Sequence, residues 1–220
     1  MVILFVISLI LCIVIHELAH FFVAKLVKCK VKEFGIGFGK AIFKYTYKGT
    51  KYRLNWLLLG GYNKLESELS YSKNKYAFSN LKYRNKVFIA LAGVGINIVV
   101  GIFSCLLGKY TINHNLITFG FISLFFGILN LALGITNAIP FPALDGSYPI
   151  LICLEKIYGK KKGYRLINKI MTKGMLILNN INKITITVLV TIYRIQIINF
   201  IISNLNNLIN ILNKINGWIK

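Results

Sequence analysis

Three long apolar runs dominate the pattern of hydrophobic and polar positions along the chain, and polar segments separate them. They occupy residues 2–28, 87–108 and 116–139. Each is long enough to cross the hydrocarbon core of a bilayer as a helix. The pattern therefore predicts three core transmembrane helices. A fourth apolar run, residues 184–202, carries Arg194, so it predicts either another span or a helix lying in the membrane interface.

The segments between and after the spans differ in character. Residues 34–62 are rich in Tyr, Lys and Gly and alternate like β-structure, with a turn predicted at Lys48 and Gly49. A polar loop with a short helix is expected to follow at 66–86. After the third span, two prolines break the helix. The tail at 203–220 repeats apolar residues at helical spacing, which predicts an amphipathic surface helix.

The composition supports a membrane protein over a soluble basic one. The chain is 56% hydrophobic, and its net charge is +21, from 27 Lys and Arg against 6 Asp and Glu. Its mean hydropathy is +0.65. The basic residues flank the apolar runs, as expected of loops that face a cytoplasm. We therefore expect a lipid bilayer, and no nucleic acid, as the partner of these charges.

The distribution of basic residues also predicts the topology. Residues 29–86 hold 13 Lys and Arg, residues 109–115 hold one, and residues 140–183 hold eight. The positive-inside rule places the first and third of these regions in the cytoplasm. We therefore expect a multi-pass protein of the cell membrane, with its N-terminus outside.

The first span contains the pattern H-E-x-x-H, formed by His16, Glu17 and His20. Residues four apart share one helix face, so both imidazoles can reach one zinc ion, and the intervening Glu can act as a general base. Ionisable groups at such depth are costly and usually functional. The topology places them toward the cytoplasmic half of the membrane.

A catalytic zinc ion requires a third protein ligand, and Asp145 is the candidate. It lies at the end of the third span, just after the proline-broken segment. Irregular backbone at this depth is tolerated where it lines an enclosed or watery cavity. Judged by residue pattern alone, Asp145 is equally suited to cap the helix that begins near Ser147.

Several motifs together resemble the site-2 protease family of intramembrane zinc metalloproteases, of the peptidase M50 type. The HExxH segment matches the HExxH motif of that family. Asn137–Gly146 resembles the family's NxxPxxxLDG motif. The span at 87–108 contains a glycine-and-asparagine motif at Ala92–Asn97. The hairpin segments Phe34–Gly39 and Leu59–Tyr62 are similar to the family's membrane-associated β-hairpin. The order and spacing agree over about residues 1–160.

The resemblance implies a role for each matching residue. His16, His20 and Asp145 would ligate one Zn²⁺, and Glu17 would be the general base. Asn97 and Asn137 would support the substrate or the transition state. The hairpin would dock an extended substrate strand near its glycines, which are Gly37, Gly39, Gly60 and Gly61.

Domain organisation is expected to be minimal. The resemblance implies a catalytic membrane core at 1–146 and a basic C-terminal region at 147–220. The link at 109–115 is too short for the PDZ domain found in some relatives, and the residues after 202 are too few for a regulatory domain. Regulation would then come from a membrane partner.

We interpret the fold as an all-α integral membrane protein with a β-hairpin between its first two spans. The function implied is hydrolysis of peptide bonds in membrane-spanning or membrane-associated proteins. A catalytically inactive scaffold of the same fold and a metal transporter are the alternatives.

Overall fold

The computed structural model describes residues 2–142 and 144–218, although most side chains beyond residue 184 lie outside the described part. Within these residues the chain forms four helices and two strands, with single 3₁₀ turns at Phe78–Asn80 and Asp145–Ser147. In order, they are α1 (Val2–Leu26), β1 (Val31–Tyr47), β2 (Thr50–Leu65), α2 (Tyr83–Asn113), α3 (Ile117–Ala138) and α4 (Tyr148–Trp218). The fold is thus mostly helical with one small antiparallel sheet.

The three predicted spans are confirmed as helices long and apolar enough to cross a membrane. They cover Ile3–Leu26, Tyr83–Asn113 and Ile117–Ala138. Many of their large apolar side chains point away from the protein, including Phe103, which is 65% exposed. Contact of such a surface with water carries a high free-energy cost, and this exposure fits helices that are able to cross a membrane.

Helix α2 is longer than the sequence predicts at both ends. The apolar run predicts 87–108, whereas the helix covers Tyr83–Asn113. The polar residues that follow the run continue the helix, and the Thr111 hydroxyl donates to the carbonyl of Leu107. The helix ends at Asn113, and two residues later Asn115 has a left-handed φ of 64°. Hydropathy marks where a helix meets hydrocarbon, and it does not mark where the helical hydrogen bonds end.

The β-hairpin between the first two spans is confirmed. β1 pairs antiparallel with β2 through a register that runs from Tyr47↔Thr50 at the turn to Val31↔Leu65 at the open end. The two turn residues, Lys48 and Gly49, have φ of 46° and 74°. Two consecutive positive φ angles are what a two-residue hairpin turn requires.

A small core joins the base of the hairpin to the helices. Ala24 at the end of α1, Val31 and Leu65 at the open end of the hairpin, and Ile89 at the start of α2 are all buried in one cluster. Phe78, from the loop after β2, completes this cluster. The hairpin is therefore fixed against the end of α1 that carries the HExxH motif.

Helices α2 and α3 approach closely where glycines face each other. A Cβ at Gly108 would lie 2.7 Å from the carbonyl oxygen of Gly120, and one at Gly101 would lie 3.0 Å from that of Gly127. Without Cβ atoms, the two backbones can pack at short range, which is a common way to join helices in a bilayer.

Helix α4 begins three residues after Asp145 and is interrupted at Gly159, whose φ of 74° and ψ of 163° are not helical. One compact unit covers residues 1–173, and a second covers 174–220. The division of domains at residue 146 stays a prediction. So do the fourth span at 184–202 and the amphipathic tail, because most side chains of these residues lie outside the described part.

Candidate active site

Helix α1 places His16 and His20 on one face, as their spacing predicts. Both are at least nine-tenths buried. Their Nε2 atoms lie 3.2 Å apart, and the two rings meet edge to face with centroids 4.8 Å apart. Two imidazole nitrogens this close, in a site with little access to water, can be brought together by a shared cation.

Asp145 joins the two histidines although it is 125 residues away from His20 in the chain. Its Oδ2 lies 2.9 Å from His16 Nε2 and 3.1 Å from His20 Nε2. The carboxylate therefore faces the histidines, as a metal ligand would.

Gly146 explains how the chain brings Asp145 to this position. A Cβ at Gly146 would overlap the carbonyl oxygen of Ala138 at the end of α3. Since any other residue would push the loop away, the loop can fold back against α3 only with glycine here. This close approach turns the Asp145 side chain toward α1.

The three donors suit a zinc ion. In a tetrahedral site with ligand bonds of about 2.0–2.1 Å, neighbouring donor atoms lie roughly 3.3 Å apart. The three distances among His16 Nε2, His20 Nε2 and Asp145 Oδ2 are 2.9, 3.1 and 3.2 Å. Three protein ligands leave the fourth position open, which is the arrangement of catalytic zinc sites.

A backbone carbonyl prepares His20 for this role. His20 Nδ1 lies 2.7 Å from the carbonyl oxygen of Ile89, on α2. Because a carbonyl can only accept a hydrogen bond, Nδ1 carries the proton and Nε2 keeps its lone pair for a metal. No sequence pattern predicts this contact, since Ile89 is an ordinary apolar residue of the second span.

The candidate base, Glu17, is held by the hairpin. The side-chain amide of Asn63, on β2, donates to both the backbone carbonyl oxygen and Oε2 of Glu17, at 2.8 Å in each case. A Cβ at Gly61, two residues earlier on the same strand, would lie 2.6 Å from Glu17 Cγ. Asn63 was missed from the sequence, although a strand places it on the same face as Gly61.

The four predicted docking glycines fall into two groups. Gly61 lies against Glu17, as described above. Gly37 and Gly39 have φ of 79° and 84°, and the space of their absent side chains is filled by other hairpin residues. Gly60 lies against the ring of Phe38 in the same way. These three glycines shape the hairpin itself, and their contact with a substrate strand stays a prediction.

The two predicted asparagines have different surroundings. Asn97 on α2 is fully buried, and neither amide atom has a hydrogen-bond partner among the described residues. A buried amide without partners is costly, and Asn97 keeps its full hydrogen-bonding capacity within the described part of the chain. Asn137, by contrast, donates to the carbonyl of Leu133 within α3. Their support of the reaction stays a prediction.

A further polar pair stabilises the segment around Asp145. The hydroxyl of Tyr148, at the start of α4, donates to Glu68 in the loop after β2. Burial, together with the adjacent carboxylate, raises the pKa of the Tyr148 hydroxyl well above its usual range. The hydroxyl therefore stays protonated as a donor, and it joins the loop after the hairpin to the helix that follows Asp145.

Gly93 on α2 lies directly against both imidazoles, and its replacement by Ala is expected to weaken zinc binding at least about tenfold. A Cβ there would lie 2.6 Å from His16 Nε2 and still closer to His20 Nε2, so one ring must move. Competition with a chromogenic chelator measures the affinity. Gly95→Ala is the matched control, because a Cβ at Gly95 has no neighbour within 4 Å. Equal affinities in the two variants would contradict this packing.

An HExxH helix whose histidines meet a distant carboxylate is typical of zinc metalloproteases. The chain belongs to peptidase family M50, whose family model matches residues 4–119. It is a member of the site-2 protease group, as the motifs in the sequence predict.

Named relatives agree with this assignment. A Campylobacter jejuni protein that carries the name of a zinc metalloprotease is 39% identical over 93 residues, which cover 40% of this chain and 25% of that protein. The regulator of sigma-E protease RseP of Escherichia coli is 35% identical over 105 residues, covering 46% of this chain and 23% of the relative. The match thus spans about a quarter of each relative's length.

The solved structure of a site-2 protease from Methanocaldococcus jannaschii also resembles this chain. The TM-score is 0.48 and the sequence identity 20%, over 84% of this chain and 70% of that one.

Proposed function

We propose that this protein is an intramembrane zinc metalloprotease that hydrolyses peptide bonds of membrane-spanning or membrane-associated proteins. The observation that carries the proposal is the convergence of His16, His20 and Asp145, whose donor atoms lie within 4.8 Å of one another. Glu17 adjoins this site on the same helix. Helix α1, which carries the two histidines, and α2, whose Gly93 lies against them, are both apolar enough to cross a membrane, so the chemistry would take place at membrane depth.

Each residue of the site would have a separate role in hydrolysis. His16, His20 and Asp145 would hold one zinc ion, which supplies Lewis-acid polarisation of the scissile carbonyl and of a water molecule. Glu17 would take the proton from that water and return it to the leaving amine. Asn97, buried and without partners in the described part of the chain, would donate to the oxygen of the carbonyl under attack.

The substrate is proposed to be an extended segment of a membrane protein. A helix hides its peptide bonds, so a helical span must unwind before it can be cut. The hairpin would hold the unwound segment by strand addition. The basic segments at 29–86 and 140–183 support an orientation with the hairpin on the cytoplasmic side and the N-terminus outside.

Cleavage of single-span substrates by the purified protein in detergent tests the proposal. We expect cleavage that stops when a zinc chelator is added and returns when zinc is restored, because hydrolysis would depend on the zinc ion held by the three ligands. Mass spectrometry of the products should place the cut within or beside the substrate's span. Zinc binding without cleavage of any substrate would favour the inactive scaffold, and zinc flux in sealed vesicles would favour a transporter.

A further inference from the structure

We propose that Asn63 is a positioning residue that holds the carboxylate of Glu17 in the orientation needed for catalysis and so couples the hairpin to the catalytic base. This inference rests on the proposed protease function. The coupling itself is a property of the contact between β2 and α1, so it can be measured independently of proteolysis.

The first observation is the double hydrogen bond from one amide. Asn63 Nδ2 lies 2.8 Å from the Glu17 backbone oxygen and 2.8 Å from Glu17 Oε2. Both partners are acceptors, which determines that the nitrogen of the Asn63 side chain, and not its oxygen, faces Glu17. One bond attaches the strand to the helix, and the other fixes the direction of the carboxylate.

The second observation is the shape of the strand beside Glu17. Gly61 and Asn63 are two residues apart, so they face the same side of β2. A Cβ at Gly61 would lie 2.6 Å from Glu17 Cγ and 3.4 Å from Cδ. The absence of a side chain at Gly61 therefore makes room for the stem of Glu17, while Asn63 binds its end.

Together these contacts restrict a side chain that is otherwise free to rotate. A glutamate has three rotatable bonds, and holding it in one rotamer costs conformational entropy. Strand β2 provides both the wall and the hydrogen bond that select one rotamer. Catalysis by a general base depends strongly on geometry, so loss of the hydrogen bond should slow the chemical step more than substrate binding.

The same contacts join two functions. At Asn63, β2 pairs with Phe34 of β1, and at Gly61 it pairs with Ile36. If a substrate strand pairs with β2 of this hairpin, the strand that sets the position of the substrate also orients the base, Glu17. Correct docking would thereby be transmitted to Glu17 through a single side chain.

Asn63→Ala is expected to lower kcat roughly 10- to 100-fold while KM changes less than about twofold. Asn55→Ala is the matched control. Asn55 lies on the same strand and also donates a buried hydrogen bond, to the carbonyl oxygen of Gly37, without touching Glu17. A control that loses as much kcat as Asn63→Ala, or an Asn63 effect confined to KM, would overturn the proposal.

A double-mutant cycle on the metal-free protein tests the coupling without any activity. Asn63→Ala should lower the Tm by about 2–4 °C in the wild-type background and by less when Glu17 is already Ala, because its carboxylate partner is gone. The cycle of Asn55→Ala with Glu17→Ala should be additive. Additivity in the Asn63 cycle as well would overturn the inference, even if the protein proves to be a protease. Non-additivity would support it even if no substrate is cleaved.

Discussion

Glu17→Gln is expected to lower the rate of peptide-bond cleavage by about 10²–10⁴-fold, the contribution of a well-placed general base. Glutamine keeps the size of the side chain and an oxygen that can accept the hydrogen bond from Asn63, but it cannot take a proton from water. Its neighbours His16 and His20, together with Asp145, are unchanged. Zinc stoichiometry and thermal unfolding should therefore match those of the wild-type protein.

The measurement is cleavage of a single-span substrate by equal amounts of the two zinc-loaded proteins. Glu33→Gln is a suitable control, because Glu33 is also a hairpin-associated carboxylate, bound to Arg53 and Tyr62, and should leave kcat nearly unchanged. Full activity of the Glu17 variant would refute the assignment of the base. Activity that is lost together with zinc would mean that the substitution had damaged the metal site instead.

Sequence reasoning succeeded where one local rule decides the geometry. Helical periodicity alone places His16 and His20 on one face, and the structure confirms it with Nε2 atoms 3.2 Å apart. Hydropathy alone locates the three membrane-capable helices. The Lys48–Gly49 turn follows in the same way from the backbone preferences of two residues.

The sequence was ambiguous where distant segments meet. Asp145 suited a helix cap as well as a ligand, and only the folded chain shows its carboxylate between the two imidazoles. Asn63 and Ile89 are invisible as site residues in the sequence, because each acts through a contact made by tertiary packing. The family resemblance predicted Asp145 as a ligand, because the family's motif includes this residue. Residue chemistry alone could not distinguish a metal ligand from a helix cap at this position.

Breaking the buried ion pair between α2 and α4 should destabilise the protein strongly. The ammonium of Lys86, near the start of α2, lies 2.7 and 2.5 Å from the two carboxylate oxygens of Glu155 on α4. Their exposed fractions are 0% and 1%. The ammonium also donates to the hydroxyl of Tyr164 and the carbonyl of Ser79, each at 3.1 Å. The pair is therefore fully desolvated and well hydrogen-bonded.

Removing one partner would leave the other charge buried without compensation. Lys86→Met or Glu155→Gln alone should thus lower the free energy of unfolding by about 3–5 kcal/mol. Lys86→Met combined with Glu155→Met should recover most of that loss, because a buried pair can often be replaced by apolar side chains of similar volume. Denaturant titration in mixed micelles measures these differences, and Lys156→Met, at an exposed position on α4, provides the control.

The pair should also affect zinc binding, although neither residue touches the metal site. Glu155 lies in the first turns of the helix that begins at Tyr148, directly after the turn that carries Asp145, and Lys86 precedes Ile89 by one helical turn. Loosening this contact would allow Asp145 and the carbonyl that orients His20 to move apart. We therefore expect the single variants to bind zinc more weakly and the double variant to regain affinity together with stability. Full zinc affinity in a destabilised single variant would show that this ion pair does not hold Asp145 and Ile89 in place.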